Sequence, residues 1–277
     1  MGRIEGALPM SDVTVVVIST NEADELDPCM ASVLSSPADF DVIVFDNAST
    51  DRTGELLARK YRDERVRVVT NRTKLGFIEN CNEGIALSQG RYVLLLNPDT
   101  IIKPDTLAEM VRFMDNQPDA AVATCRMLYP DGTHQAHVRR FPTLRTYFWR
   151  ISRLDRLFPR RQSVDRYLMN DLRHDRPSQV DWFITAFFFM RKAVIAEIGD
   201  LDRRLLQPFY CEDLEWCYRA RLRGYKNYYL PNVEITHMYR QSSSKRFNRL
   251  SLVHLCNIAL FFWKHRAPLF AGKVASR

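Results

Sequence analysis

Three places in the chain carry side chains that could do chemistry. Leu94-Leu95-Leu96 runs into Asn97-Pro98-Asp99-Thr100. A buried strand meets a proline that cannot continue a hydrogen-bonded ladder, so Asp99 is presented where the strand stops. One carboxylate beside phosphate oxygens and waters suits Mg²⁺. The same residues also read as an Asx-type turn into a helix. In Phe209-Tyr210-Cys211-Glu212-Asp213-Leu214-Glu215-Trp216, two adjacent acids open a helix, where the positive end of the dipole favours them. That pattern is ordinary capping, or it is a general base. As a base, Asp213 would take the proton of an attacking hydroxyl, with Phe209, Tyr210 and Trp216 excluding water. His237 follows the short apolar stretch Ile235-Thr236 and could complete a metal site or bind phosphate. A lone histidine is more often neither.

The elements that must position these residues alternate in type. Val13 to Ile18, Val42 to Phe45, Val66 to Val69 and Tyr92 to Leu96 read as buried strands. Between and after them, Glu25 to Leu34, Thr53 to Tyr61, Glu79 to Leu87 and Pro104 to Asp115 read as helices, the last with proline in its first turn. Strand and helix at this spacing predict βαβ units and a mostly parallel α/β sheet. Ligands of such sheets sit beyond the carboxyl ends of the strands. Those ends are Ser19-Thr20-Asn21-Glu22, Asp46-Asn47, Asn71-Arg72 and Asn97-Pro98-Asp99. Each alone is turn chemistry; four on one edge favour a nucleotide-type site. Further on, Asp181 to Met190 resumes a buried apolar segment. Glu212 to Arg223 reads as a helix closed by Gly224, and Tyr228 to Leu230 and Val233 to Thr236 as short strands.

Composition removes whole classes. The 277 residues carry a net charge of +7, with 46% hydrophobic and 26% charged, which is globular composition. No two of the ten glycines lie two positions apart, so a G-x-G-x-x-G dinucleotide loop is impossible, and no phosphate-loop motif occurs. The six cysteines form no C-x-x-C pair, and no secretory leader is read ahead of them, so reduced thiols in a cytoplasmic protein are expected. Residues 1–10 read as a leader or an extension of vector origin. The longest apolar run, Ser251 to Trp263, is shorter than the roughly 20 residues a bilayer span needs. Arg139 to Arg161 holds eight arginines and one aspartate, interleaved with Phe141, Tyr147, Phe148, Trp149, Leu154, Leu157 and Phe158. Such a segment suits nucleic acid, an anionic membrane surface or a diphosphate, or else it is a solvated helix face. The basic amphipathic tail from Lys245 repeats the theme.

Taken in order, these motifs resemble bacterial family 2 glycosyltransferases of the GT-A fold, in their rhamnosyltransferase-like branch, from about Val13 to Lys264. The blocks are Val15-Val16-Val17-Ile18-Ser19-Thr20-Asn21, Val44-Phe45-Asp46-Asn47-Ala48-Ser49-Thr50-Asp51, and Leu75-Gly76-Phe77 with Asn82 and Gly84. Leu95-Leu96-Asn97-Pro98-Asp99 is similar to a degenerate D-x-D metal motif. Pro130-Asp131-Gly132, Arg140-Phe141-Pro142-Thr143, Val180-Asp181-Trp182 through Ala186-Phe187 to Arg191-Lys192, Glu212-Asp213-Leu214-Glu215-Trp216, and His237 with Ser242 complete the set. The resemblance implies a GT-A domain over residues 11–244, with a nucleotide-binding half (11–125), an acceptor-side half (126–244) and a basic extension (245–277). It implies that Asp46 recognises the nucleobase, with Ser19 and Asn21 near the nucleoside and Asn82 and Asn97 also on the donor side. Asp99, helped by His237, would hold Mg²⁺ or Mn²⁺ on the donor diphosphate, and Asp213 would be the base of an inverting displacement. Asp181, Trp182 and Glu212 would lie on the acceptor side. The implied donor is dTDP-L-rhamnose, and the acceptor a glycan on a polyprenyl diphosphate. The implied location is the cytoplasmic face of the bacterial membrane, docked on its anionic surface. Asn97 replaces the first carboxylate of D-x-D, Thr185 stands where glycine is usual before Ala186, Lys74 stands where asparagine is usual, and Met238 to Gln241 lack the usual glycine.

Four rivals remain: a UDP-sugar-dependent transferase of the same fold, a nucleotidyltransferase, a nucleic-acid-binding protein using the arginine–aromatic segment, and a scaffold with a dead transferase fold, which a donor-hydrolysis assay separates from an active enzyme. Ser19 to Asp27 has no Gly, Lys or Arg, which counts against a triphosphate loop. Binding of DNA or RNA with a steep salt slope would mark the third rival, and no nucleic-acid partner is expected.

Overall fold

A computed structural model describes residues 11–143, 162–205, 211–238 and 249–266. The expectations for residues 1–10, most of the arginine-rich segment (144–161), Phe209, Tyr210, Ser242 and the tail's residues 245–248 and 267–277 lie outside the described residues.

The first half follows the βαβ reading: β1 (Val13–Ser19), α1 (Ala23–Leu34), β2 (Phe40–Asp46), α2 (Thr53–Lys60), β3 (Val66–Thr70), α3 (Phe77–Leu87), β4 (Tyr92–Leu96), β5 (Thr100–Ile102) and α4 (Thr106–Asn116). The chain continues through β6 (Ala120–Leu128), β7 (Val138–Arg139), α5 (Gln162–Tyr167), β8 (Ser178–Val180), β9 (Trp182–Phe183), β10 (Phe187–Arg191) and α6 (Lys192–Ile198). It ends in α7 (Glu212–Leu222), β11 (Lys226–His237) and α8 (Arg249–Lys264).

One nine-stranded sheet runs β3-β2-β1-β4-β10-β6-β11-β5, with β8 paired to β11. The pairs β1–β2, β1–β4, β2–β3 and β6–β11 are parallel, whereas β10 is antiparallel to both β4 and β6. Helices cover both faces, as a sheet buried on both sides requires. On one face Leu26, Met30 and Val33 of α1 share an apolar cluster with Val15, Val17, Val42 and Val44, and α4, with Leu107, Met110 and Met114, lies against β6 and β11. On the other, α3 with Ile78 and Ile85 lies against β1, α6 with Val194 against β10, and Trp216 of α7 meets Phe188 of β10. β6 spans the boundary expected between two halves at residue 125, so both halves share one sheet.

The sequence reading gives no strand at β6 and two strands where β11 is one. β6 reads Ala-Ala-Val-Ala-Thr-Cys-Arg-Met-Leu, small residues with weak strand preference, and is held by neighbours on both edges. β11 carries a register shift against β6 between Leu230 and Glu234, spanning Pro231. Before the shift Tyr229 belongs to one apolar cluster; after it Val233 and Ile235 belong to the other. The irregularity therefore exchanges which face the odd-numbered residues point to.

Candidate active site

The topology gathers the candidate residues on one edge. β1, β2 and β4 end there with Ser19, Asp46 and Leu96, and Ser19 and Asp46 are register partners. β6 and β11 run in the same direction, so His237, the last residue of β11, reaches this edge too. β10 is antiparallel, so its beginning, next to Thr185 and Ala186, also lies there, paired from Phe187 to Leu96.

On the β1–β3 side the polar residues mainly hold one another. Asn21 sits in the left-handed region (φ 57°), which asparagine tolerates. Its side-chain oxygen accepts from the backbone N–H of Thr50 (2.7 Å) and Asp51 (3.2 Å), stapling the loop after β1 to the loop after β2. Asp46 is buried and accepts from the Ser49 N–H (3.0 Å), and a Cβ on Gly54 would come within 3.0 Å of its other oxygen. Glycine there leaves room for the carboxylate. Asn47, Asn71 and Asn80 form a chain of amide bonds that also fixes Leu75 at both backbone atoms. Ser19 is fully buried, and its hydroxyl has no hydrogen-bond partner among the described residues. Asn82 uses its amide on the chain itself, bonding the backbone N–H and C=O of Leu201 at 2.9 and 2.8 Å. That pairing makes it a clamp between α3 and the segment after α6.

Beyond β4 the arrangement changes. The Asn97 N–H donates to Ala186 O (3.1 Å), tying the Asp99 turn to the start of β10. Asp99 Oδ1 lies 3.2 Å from His237 Nε2, with the imidazole 4% and the carboxylate 14% exposed. Their backbones are held as well, because Met238 N–H donates to Asp99 O (2.9 Å) and His237 pairs with Thr100 across β11–β5. Neighbouring ligand positions of an octahedral ion at about 2.1 Å lie about 3 Å apart, so this oxygen–nitrogen pair fits two such positions of Mg²⁺ or Mn²⁺. No group of three or more His, Cys, Asp or Glu capable of holding a metal is present among the described residues. Phosphate oxygens and waters would have to complete the shell.

Across the same edge, Glu212 and Asp213 open α7 after Cys211, itself in the left-handed region (φ 73°). Both acids are buried. Burial, and then the charge of Glu212 beside it, push the Asp213 carboxyl well above the ordinary range, against N–H bonds from Leu214 and Thr185. Thr185 also donates its hydroxyl to Glu212 Oε1 (3.2 Å). The residue that departs from the family pattern thus touches both acids. Its place is legible in the sequence, but this contact is not.

The acceptor-side pair Asp181 and Trp182 is turned to the chain itself. Asp181 accepts from Phe141 N–H (2.7 Å), and Trp182 Nε1 donates to Arg140 O (2.9 Å), fastening the start of the arginine-rich segment. Burial raises the Asp181 carboxyl.

Two residues downstream of Asp213, Glu215 is fully buried and meets Arg219 (2.9 Å), Lys264 and His265 (3.2 Å). This joins α8 to the helix that carries Asp213. Lys264 also bonds Asp202 (2.7 Å), and Tyr218 stacks edgewise on Phe261.

A mixed sheet flanked by helices on both faces is the architecture of the GT-A glycosyltransferases, which solved structures similar to this one share. The chain belongs to glycosyl transferase family 2, whose model matches residues 14–199. Among relatives, it is 25% identical over 251 residues to the Mycobacterium tuberculosis N-acetylglucosaminyl-diphospho-decaprenol L-rhamnosyltransferase, covering 85% of this chain and 79% of that protein. It is 23% identical over 197 residues to rhamnosyltransferase WbbL of Escherichia coli, covering 65% and 67%. Among solved structures, it resembles the mannosyltransferase PcManGT of Pyrobaculum calidifontis, determined with GDP-Man and Mn²⁺. The TM-score is 0.62 at 16% identity, covering 94% of this chain and 65% of that one. The chain therefore spans just under two thirds of that solved protein.

Proposed function

We propose that this glycosyltransferase is an inverting, metal-dependent enzyme that moves L-rhamnose from dTDP-L-rhamnose to a glycan on a polyprenyl diphosphate. The observation that carries the chemistry is the placement of Asp99, His237 and Asp213 on one sheet edge, bridged by Asn97 to Ala186 and by Thr185 to Asp213. Rhamnose and the lipid diphosphate rest on what the two rhamnosyltransferase relatives are named for.

In this reading Asp46 and Asn21 shape the pocket for the nucleoside, and Asp99 and His237 hold the ion. A bound divalent ion would neutralise charge gathering on the leaving diphosphate. Asp213 takes the proton of the acceptor hydroxyl while that oxygen bonds to the anomeric carbon. The bond from that carbon to the diphosphate oxygen breaks with its electron pair on the nucleotide. A carboxyl held above its ordinary range by burial is a stronger base than an exposed one. Asn82, bonded to Leu201, steadies α3 on the donor side.

The membrane surface is read from α8. Leu252, Cys256, Ala259 and Trp263 form an exposed stripe at helical spacing, with Leu252 51% and Trp263 64% exposed. From Met238 to Arg277 there are eight Lys and Arg and no acid, a composition that favours anionic lipid. No helix among the described residues is long and apolar enough to cross a membrane.

The test is a panel of dTDP-, UDP- and GDP-sugars, read by thermal shift with and without Mn²⁺ and by transfer to a polyprenyl-diphosphate sugar. dTDP-L-rhamnose with Mn²⁺ should give the largest shift, and Asp99→Ala should remove its metal-dependent part. A shift from UDP-sugars alone would overturn the donor assignment. An undiminished shift in Asp99→Ala would overturn the metal assignment.

A further inference from the structure

The imidazole of His237 has a second neighbour that no motif singles out. Its Nδ1 lies 2.8 Å from the side-chain oxygen of Gln135, and both residues are buried. The segment carrying Gln135 is pinned to the end of β6: Gln135 N–H donates to Met127 O (2.9 Å), and His134 bridges to Leu128. His137 in turn bonds the Gln135 carbonyl through its Nδ1 (2.8 Å). The amide is therefore delivered to His237 by a fixed backbone.

The amide's orientation matters chemically. Its oxygen faces Nδ1, while its Nε2 is buried with no hydrogen-bond partner among the described residues. An oxygen held at this distance favours the tautomer with the proton on Nδ1. A neutral imidazole with its proton there has its free lone pair on Nε2, the atom 3.2 Å from Asp99 Oδ1.

We infer that Gln135 is the positioning residue of the cation site: it fixes the ring orientation and tautomer that make His237 Nε2 a metal ligand beside Asp99. This rests on the metal reading above and adds to it a residue outside the ligand set. Ligating histidines commonly donate the other ring N–H to an acceptor, and losing that acceptor typically weakens metal affinity about 10–100-fold.

Mn²⁺ binding measured by electron paramagnetic resonance of the free ion, with excess dTDP and separately with excess UDP, tests this without turnover. Gln135→Leu and Gln135→Met keep the volume and remove the acceptor, and should weaken Mn²⁺ binding about 10–100-fold. Gln135→Glu keeps an acceptor oxygen and should bind within a few-fold of the unaltered protein. Circular dichroism and melting temperature establish that each variant is folded. If His237→Ala weakens Mn²⁺ binding at least tenfold while Gln135→Leu and Gln135→Met stay within twofold, the role of Gln135 is overturned and the metal site stands. If His237→Ala itself binds Mn²⁺ normally, the metal reading fails and this inference with it. The unaltered protein gives an independent answer. Long-range ¹H–¹⁵N spectra of the Mg²⁺- and dTDP-loaded form should show His237 protonated at Nδ1, and a proton on Nε2 would overturn the inference.

Discussion

Helix α7 carries two buried carboxylates two residues apart, and they have opposite surroundings. Asp213 faces the sheet edge with Glu212 at its side, and burial with that charge drives its carboxyl upward. Glu215 faces α8. Burial pushes it upward as well, but the bond from His265 and the charges of Arg219 and Lys264 outweigh this and hold it at about 2. Burial at both positions thus leaves one carboxyl raised and the other lowered. The distinction lies in which cations the fold supplies, not in depth below the surface.

The largest test of this contrast is exchange of the acids for their amides. Asp213→Asn should lower transfer by roughly 10²–10⁴-fold while donor affinity and melting temperature hold or rise, since a buried uncompensated carboxyl is removed. Donor titration beside initial rates reads both. Glu215→Gln should do the reverse, costing about 3–5 kcal/mol of stability in urea unfolding because Arg219 and Lys264 lose the buried carboxylate they share. If Asp213→Asn unfolds the protein and Glu215→Gln spares it, the two roles have been exchanged.

A pH series sharpens the same contrast. Asp213 works as a base only when ionised, and its ionisation is pushed up. The rate should therefore fall with falling pH along a limb above the ordinary carboxylate range, and the limb should vanish in the residual rate of Asp213→Asn. Glu215 is depressed from 4.5 to about 2, so its contribution is complete above about 4.5 and disappears as pH drops through about 2. Unfolding free energy against pH follows that limb, which Glu215→Gln should flatten. The smallest effect is expected from Lys264→Met. It leaves Arg219 and His265 on Glu215 and should cost about 1–3 kcal/mol, read by urea unfolding.

How much of this was legible in the residues depends on the kind of interaction. Continuous β-branched runs such as Val13 to Ile18 announce buried strands, and the polar residues after them announce the ligand edge. β6 is silent because three of its first four residues are alanines, which carry little strand preference, and the neighbours impose the conformation. The pairing of Asp99 with His237 follows from a motif order, but its partner Gln135 follows only from a register that brings residue 135 against β6. Asn82 and Asp181 show the limit from the other direction. An amide or carboxylate at a plausible position can be spent on the chain's own backbone, and only coordinates reveal which. Glu215 stands in the same short acidic motif as Asp213, and nothing local distinguishes them, since Lys264 and His265 arrive from nearly fifty residues away.

The irregularity near Pro231 carries a further implication. Because it swaps which side of the pleat odd-numbered positions occupy, it decides where the imidazole at the strand's end emerges. Adding or deleting a single residue in that detour, remote from any reacting atom, would turn His237 away from Asp99 while leaving every site side chain intact. The spacing of this kink thus acts as a length gauge for the whole Asp99–His237 corner.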